Sequence, residues 1–347
     1  MKACVLEAIG RLAYAEVSLP RVPEGWCLVK VAACGVCGSD LPRIFTKGAY
    51  TFPTIPGHEC SGTVVSAPTG EESLVGRLVS VFPLIPCRTC GPCSAGMIHL
   101  CADYDYIGSR RDGAFAEYVA APVPNLLSVP DGVDAESAAM TEPAAVALHA
   151  LRQARVDAGD TVWVIGAGPI GVLVAKWAGI LGARVFVADI DFSKLALARD
   201  WAGAEVLDAS ASDAVEWVKQ QTSGVGADIC VDAVGVPAAA AQALRGCRPR
   251  GSVVWLGNPS GEMAFSQSDY WMILRKELRV TGSWNSEYGS FPKCEWRVVL
   301  QAMASGQLDP KPLITHRVGL PNLSALLQRV HAGNERATKI MMIPEGR

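Results

Sequence analysis

Two groups of residues in this chain have the types and spacing for metal chemistry. Cys87, Cys90, Cys93 and Cys101 form C-x2-C-x2-C-x7-C, with Pro86, Gly91, Pro92 and Gly96 between them. Turns at those positions can gather four thiolates into a tetrahedron, and a closed four-sulfur shell suits a structural zinc because it leaves no position for substrate. An iron–sulfur cluster competes for such ligands, but the segment lacks the C-x2-C-x2-C-x3-C run. The second group is dispersed: Cys37 in ACGVCGSD, His58 and Glu59 in GHE, and Glu142 in TEP. Taken singly, Cys37 reads as a buried thiol and His58 as a satisfied core histidine. Together the four offer sulfur, nitrogen and oxygen in a set that can keep a place for water or substrate, as a catalytic zinc requires. Cys34 competes with Cys37 for the thiol position, although it is more simply a small buried residue, and Asp40 is a candidate partner for the free ring nitrogen of His58.

A third constellation lies further along. In TVWVIGAGPIG, the glycines Gly166, Gly168 and Gly171 follow an apolar run and open a helical one. The first permits a tight turn, the second lets a pyrophosphate approach the backbone, and the third lets the helix pack on the sheet, so that phosphate meets a helix N-terminus. Asp189 follows Gly171 by 18 residues at the end of the next apolar run, where a carboxylate can bond both ribose hydroxyls of an adenosine and repel a 2′-phosphate. No arginine follows it in Ile190, Asp191 and Phe192, which favours NAD over NADP; Asp191, directly before FSKLALA, reads as a helix cap.

These residues need two kinds of scaffold. Up to about Met140 the chain is rich in Gly and Pro, with short alternating runs such as Cys27 to Ala32, Gly62 to Val65 and Leu78 to Phe82, the pattern of an irregular, mostly β domain. From Asp160, apolar strands alternate with helical stretches: Thr161 to Ile165, Arg184 to Asp189, Glu205 to Leu207, Asp228 to Asp232, Ser252 to Leu256 and Leu278 to Thr281. That alternation predicts a doubly wound parallel sheet, and Ile170, Leu173, Val174, Trp177 and Ile180 mark its first crossover helix. The alanine run Ala238 to Ala241 suits another helix. The tail from Glu295 offers two helices, a Pro-containing connection and a terminal strand from Lys339 to Ile343, returning to the first domain. The resulting α/β division is 1–147 for the zinc domain, with its cysteine lobe at 86–102, 148–285 for the dinucleotide domain, and 286–347 for the return.

Composition agrees with a folded protein. Of 347 residues half are hydrophobic, and 31 basic against 34 acidic residues leave a charge of −3. No like-charge run exceeds two residues, so nucleic acid is not expected as a partner. No stretch approaches 18 apolar residues and no cleavage site follows the N-terminal run, which predicts a soluble, cytoplasmic protein with no membrane partner. Nine of the 12 cysteines precede residue 102, and without a secretory signal the cluster Cys87, Cys90, Cys93 and Cys101 reads as metal ligands rather than a disulfide framework.

The order of GHE, the four-cysteine lobe, GAGPIG and a terminal strand resembles the zinc-dependent medium-chain dehydrogenases over essentially the whole chain. CGSDLPRIF, YIGSRRDGAFAEY and ILRKELRVTGSW are most similar to the members of that family that act on galactitol 1-phosphate, and the Glu142-Pro143 pair is shared with the wider polyol branch. The resemblance implies a GroES-like catalytic domain and a Rossmann domain, two zinc ions per chain, NAD, and a homodimer or homotetramer paired near Leu278 to Thr281. It implies that Cys37, His58 and Glu142 bind the catalytic zinc, with Glu59 able to enter or leave its shell, and that Ser39 passes the substrate proton outward. It also implies cofactor contacts by Gly166, Gly168, Pro169, Ile170, Gly171 and Asp189, with Val234 and Gly257 along the nicotinamide half. The implied reaction is oxidation of a secondary alcohol of a polyol or polyol phosphate, with galactitol 1-phosphate leading. An unphosphorylated polyol, a threonine-like amino alcohol or a cyclitol is the alternative. A non-enzymatic NAD-binding redox sensor would not need Cys37, Ser39, His58 and Glu59 together. Arg43, Arg110 and Trp284 are the substrate candidates, Arg43 first because it follows Cys37 by six residues; Lys47, Arg111 and Arg275 are further candidates for a phosphate. One departure is the segment GSWNS, where sorbitol dehydrogenases carry an arginine near the position of Asn285, which argues against plain polyol binding through that arginine.

Overall fold

The computed structural model describes residues 1–289 and 294–345. The chain divides into two compact units, Met1–Glu142 with Glu287–Arg347, and Pro143–Ser286. The first break therefore falls at Glu142 rather than at 147, within the first turn of the helix Thr141–Ala154.

Unit two is a six-stranded parallel sheet in the order Glu205–Asp208, Arg184–Asp189, Thr161–Ile165, Ala227–Asp232, Cys247–Trp255, Arg279–Gly282. The strand order reverses at Thr161–Ile165, so the segment following that strand lies at the topological switch point where open α/β sheets bind ligands. Its strands read as unbroken apolar runs because both faces are covered: Val162, Trp163 and Val164 are consecutive and fully buried. The helix Pro169–Ile180 packs on Thr161–Ile165 and Arg184–Asp189. The alanine run lies in the helix Pro237–Gly246. Cys247–Trp255 begins five residues before the expected Ser252, passing through a register irregularity against Ala227–Asp232. Arg279–Gly282 forms one edge of the sheet.

Unit one is built on a seven-stranded mixed sheet. Its path runs Ile314–Val318, Lys339–Met342, Trp26–Gly35, Glu59–Ser66, Leu78–Val81, Leu126–Ser128, and Tyr118–Pro122 also pairs with Trp26–Gly35. The alternation predicted from Cys27 appears as inward Cys27, Val29 and Val31 and an outward Lys30. These side chains join Val64, Val79, Val81, Leu323, Leu327 and Met342 in one core. The terminal strand Lys339–Met342 pairs antiparallel with Cys34 and Gly35. Ile314–Val318, where only a connection was expected, is a strand parallel to it. A short pairing of Leu84–Ile85 with Asp105–Tyr106 closes the neck of the loop that carries the four cysteines.

Candidate active site

In the lobe, the short helix Gly91–Ser94 and the 3-10 turn Ile98–Leu100 bring the sulfurs of Cys87, Cys90, Cys93 and Cys101 within 4.8 Å of one another. The Cys90 and Cys101 sulfurs are 3.9 Å apart. That is far beyond a disulfide bond, and it is close to the edge, about 3.8 Å, of a tetrahedron with metal–sulfur bonds of about 2.3 Å. The Cys87 backbone N–H donates to the Cys101 sulfur at 3.2 Å, and the Thr89 hydroxyl donates to the Cys87 sulfur at 3.5 Å. The Thr89 hydroxyl and the N–H groups of Thr89 and Cys90 bring the Cys87 thiol down to about 6, into the range where it is a ready anion. The donor set and its spacing fit zinc.

The second group forms where the Trp26–Gly35 strand ends and the Glu59–Ser66 strand begins. Cys37 lies in the turn after the first strand, and His58 and Glu59 open the second. Their ligand atoms lie within 4.8 Å of one another. Asp40, fully buried at the start of the helix Asp40–Phe45, accepts from the Cys37 backbone N–H at 3.0 Å and from Arg43 Nη1 at 2.6 Å. Its Oδ1 lies 3.6 Å from His58 Nδ1, which is buried and has no hydrogen-bond partner. A buried thiol, imidazole and carboxylate that converge, with a second carboxylate, Asp40, against the histidine ring, form a donor set that a metal would satisfy. Glu142, in the first turn of Thr141–Ala154, stands outside this group of three. It is near enough that burial and the Glu59 charge, opposed by His58, push its carboxyl up to about 8. The enclosure of Cys37 and the charges of Glu59 and Asp40 push its thiol up to about 11, against the pull of Lys339 and of the Ser39 hydroxyl, which bonds to it.

Three neighbours of this group do not stand out as site residues in the sequence. Lys339, only 3% exposed, donates to both Glu59 oxygens at 2.8 and 2.6 Å and to the Val36 carbonyl at 3.0 Å. Burial alone would lower its pKa, but the Glu59 charge raises it, so the lysine stays an ammonium. A lysine heading the otherwise apolar strand KIMM was the available clue. Tyr106 meets the His58 ring edge-on at 5.7 Å, and Tyr104 follows it at 6.2 Å.

In unit two, Gly166 has φ +99°, which disfavours any side chain, and a Cβ on Gly171 would stand 1.9 Å from the Gly166 carbonyl oxygen. Gly168 caps the helix Pro169–Ile180, with Gly168, Pro169 and Ile170 half-exposed, so the helix N-terminus is open to an anion. Asp189 accepts from the Ala167 N–H at 2.7 Å with one oxygen and from the Asp191 N–H at 2.8 Å with the other. Each oxygen keeps a further lone pair for a hydroxyl. Asp191 caps Phe192–Asp200 through the Ser193 N–H. Val234, partly exposed, lies beside Gly166, and the Gly257 N–H bonds to the Asp232 carbonyl.

The substrate candidates have separate neighbours. Arg43 is engaged by buried Asp40, and Arg111 is held by Asp105 at 2.6 Å and lies over Trp26 at 4.6 Å. Arg275 stacks on Trp271 in unit two, where Trp284 is about half exposed. Arg110 lies between the rings of Tyr50 and Tyr104. Arg43, expected to face a phosphate, forms an ion pair with Asp40.

The folds and both sites meet in the comparisons with known proteins. Residues 23–131 match the alcohol dehydrogenase GroES-like domain and residues 169–305 match the zinc-binding dehydrogenase family. The chain belongs to the medium-chain zinc-binding alcohol dehydrogenases; it is an oxidoreductase whose cofactors are zinc and a nicotinamide dinucleotide. It is 34% identical to galactitol 1-phosphate 5-dehydrogenase of Escherichia coli K12 over 347 residues, 99% of this chain and 100% of the relative. The crystal structure of the E. coli galactitol-1-phosphate dehydrogenase superposes with a TM-score of 0.93 at 35% identity, covering 99% of this chain and 100% of that one. L-galactonate-5-dehydrogenase of the same organism is 30% identical over 98% of each chain. A solved Sinorhizobium meliloti 1021 chain assigned to the zinc-binding dehydrogenases and bound to NADP is 31% identical, with a TM-score of 0.88 over 99% of each. Among the described residues no helix is long and apolar enough to cross a membrane.

Proposed function

We propose that this protein is an NAD-linked dehydrogenase carrying two zinc ions, which oxidises a secondary alcohol of an anionic polyol to the ketone, with galactitol 1-phosphate the leading substrate. The observation that carries the reading is the convergence of Cys37, His58 and Glu59, with Asp40 against the His58 ring and a further carboxylate, Glu142, close by. Zinc, when bound there, supplies the Lewis acidity that makes an alcohol easier to deprotonate. Cys37, His58 and Glu142 hold the metal, with Glu59 joining or leaving them; Asp40 steadies His58, and Lys339 balances the Glu59 charge. Ser39 Oγ takes the substrate proton toward water. The four lobe cysteines hold the second zinc away from the chemistry. The relatives named above act on galactitol 1-phosphate and L-galactonate, polyols with a negative group at one end, which supports an anionic substrate.

Gly166, Gly168, Pro169, Ile170 and Gly171 take the pyrophosphate and Asp189 the adenosine ribose, with Val234 and Gly257 along the nicotinamide half. Asp189, with Asp191 two residues on and no arginine nearby in sequence, disfavours a 2′-phosphate. Thiolate ligands suit a reducing compartment, and we place the protein in the cytoplasm as a homodimer or homotetramer paired along the Arg279–Gly282 edge, which light scattering would test. The deciding experiment is a panel of sugar alcohols, their phosphates, sugar acids, amino alcohols and cyclitols read by NADH absorbance, with zinc counted by elemental analysis. Two zinc ions and NADH formation from an anionic polyol are expected. One zinc in fully active protein, or turnover of an unphosphorylated neutral polyol, an amino alcohol or a cyclitol that equals or exceeds that of the anionic polyols, would overturn the reading. Replacing Asp189 with Ser should raise the KM for NAD about tenfold and relax discrimination against NADP.

A further inference from the structure

The three arginines of unit one that the sequence marked as phosphate candidates have different neighbours. Arg43 is neutralised by Asp40 and Arg111 by Asp105. Arg110 has no carboxylate partner among the described residues. Its guanidinium lies 4.2 Å from the ring centre of Tyr104 and 4.8 Å from that of Tyr50, within hydrogen-bonding reach of both phenols, and its Nη1 donates to the Tyr104 carbonyl at 2.9 Å. Its Nε is buried and has no hydrogen-bond partner. Two neutral rings and a carbonyl can fix the plane of a guanidinium, but they do not cancel its charge. A half-buried guanidinium with no counter-anion is costly unless something negative visits its accessible side.

Its position indicates what that visitor is. From His58 the aromatic rings run in sequence: Tyr106 at 5.7 Å from His58, Tyr104 at 6.2 Å from Tyr106, and Arg110 over the face of Tyr104. Tyr50, 69% exposed, is the guanidinium's second aromatic neighbour, and Arg110 itself is only partly buried. We propose that Arg110, boxed by Tyr50 and Tyr104, is the subsite for the anionic end, phosphate or carboxylate, of a polyol whose reacting hydroxyl sits at the His58 end of this row. The proposal rests on the dehydrogenase reading for the identity of the polyol. The planar fork of arginine gives two charge-assisted bonds to either anion, whereas a neutral hexitol gains little from it.

The test is calorimetric titration of the zinc-loaded enzyme with NADH bound, which cannot accept hydride from an alcohol, with a hexitol 1-phosphate, the corresponding hexonate and the free hexitol. The wild type is expected to bind at least one of the anions about tenfold or more tighter than the free hexitol. Arg110→Gln should bring that ratio close to one, and Arg110→Lys, which keeps the charge but loses the fork, should leave an intermediate ratio. Tyr50→Leu, on the exposed rim where the fold does not depend on it, should reduce the ratio a few-fold and covers the case in which the arginine variants fail to fold. The anion that gains in the wild type identifies the natural terminal group. No anion preference in the wild type, or a preference that survives Arg110→Gln, or one untouched by Tyr50→Leu if the arginine variants unfold, overturns the proposal. These ratios are read from binding alone, so failure of the dehydrogenase reading, seen as no NADH from any polyol, is a separate outcome.

Discussion

The cysteine lobe and the Cys37 group both offer thiols to a metal, yet they are assembled in different ways. The lobe takes all four donors from one loop, three of them partly exposed, and the closing strands Leu84–Ile85 and Asp105–Tyr106 are its main support. The Cys37 group draws on two strand ends and the last strand of the chain, and it buries His58, Glu59, Asp40 and Lys339. Four thiolates on a loop need only turns and a few N–H donors. A buried carboxylate needs a buried counter-charge, and here it comes from 280 positions away. At the lobe, metal binding is coupled to local folding; at the other site it is coupled to the charge balance of the whole unit.

That contrast can be broken most sharply at Cys37. Cys37→Ala should lower turnover on the order of a thousandfold, because a Lewis acid contributes several kcal/mol to such a reaction. Circular dichroism and the melting temperature should stay near those of the wild type, and a large loss of stability would erase the distinction between the sites. Cys90→Ala should do the reverse, lowering the melting temperature by about 10 °C as the loop loses its metal. Its turnover per folded molecule should stay within a few-fold of wild type, measured at a temperature where both are folded.

Lys339→Met sharpens the charge argument. It leaves Glu59 buried without its partner, which should cost about 3 kcal/mol in denaturant unfolding and weaken zinc at this site ten- to a hundredfold, while the lobe zinc is retained. Adding Glu59→Gln to that variant should restore much of the stability; if it does not, packing rather than charge is what Lys339 provides. The smallest effect belongs to Thr89→Ala, which removes the hydroxyl donor to the Cys87 sulfur. Competition with a zinc-binding dye should show lobe affinity weakened only a few-fold, with no change at the Cys37 group.

How much of this was legible in the sequence depended on how local each arrangement is. The lobe was readable because its four cysteines and their turn residues share one short segment. The parallel sheet was readable because each strand is a compact apolar run; Thr161–Ile165 and Arg184–Asp189 have the expected ends. Ile314–Val318 was missed because it follows two prolines and reads ITHRV, with only its end residues buried. The Arg43–Asp40 pair was available at helical i,i+3 spacing, yet it lay beside a metal ligand and was read as facing a substrate. No sequence pattern could separate Arg110 from Arg111, since their difference lies in Asp105, Tyr50 and Tyr104. Nor could one pair Lys339 with Glu59, because that contact exists only once the last strand docks beside Trp26–Gly35.

The two-handed grip of Asp189 on the Ala167 and Asp191 amides has an evolutionary consequence. The carboxylate proposed above to read the adenosine ribose also fastens the glycine turn to the start of the next helix. A lineage drifting toward the phosphorylated dinucleotide would lose the fastener along with the selectivity, and the turn would loosen before any new anion contact had formed. A single change at Asp189 would thereby relax the choice of dinucleotide at the expense of the turn, and the better route begins with a neighbouring change that secures the turn by other means.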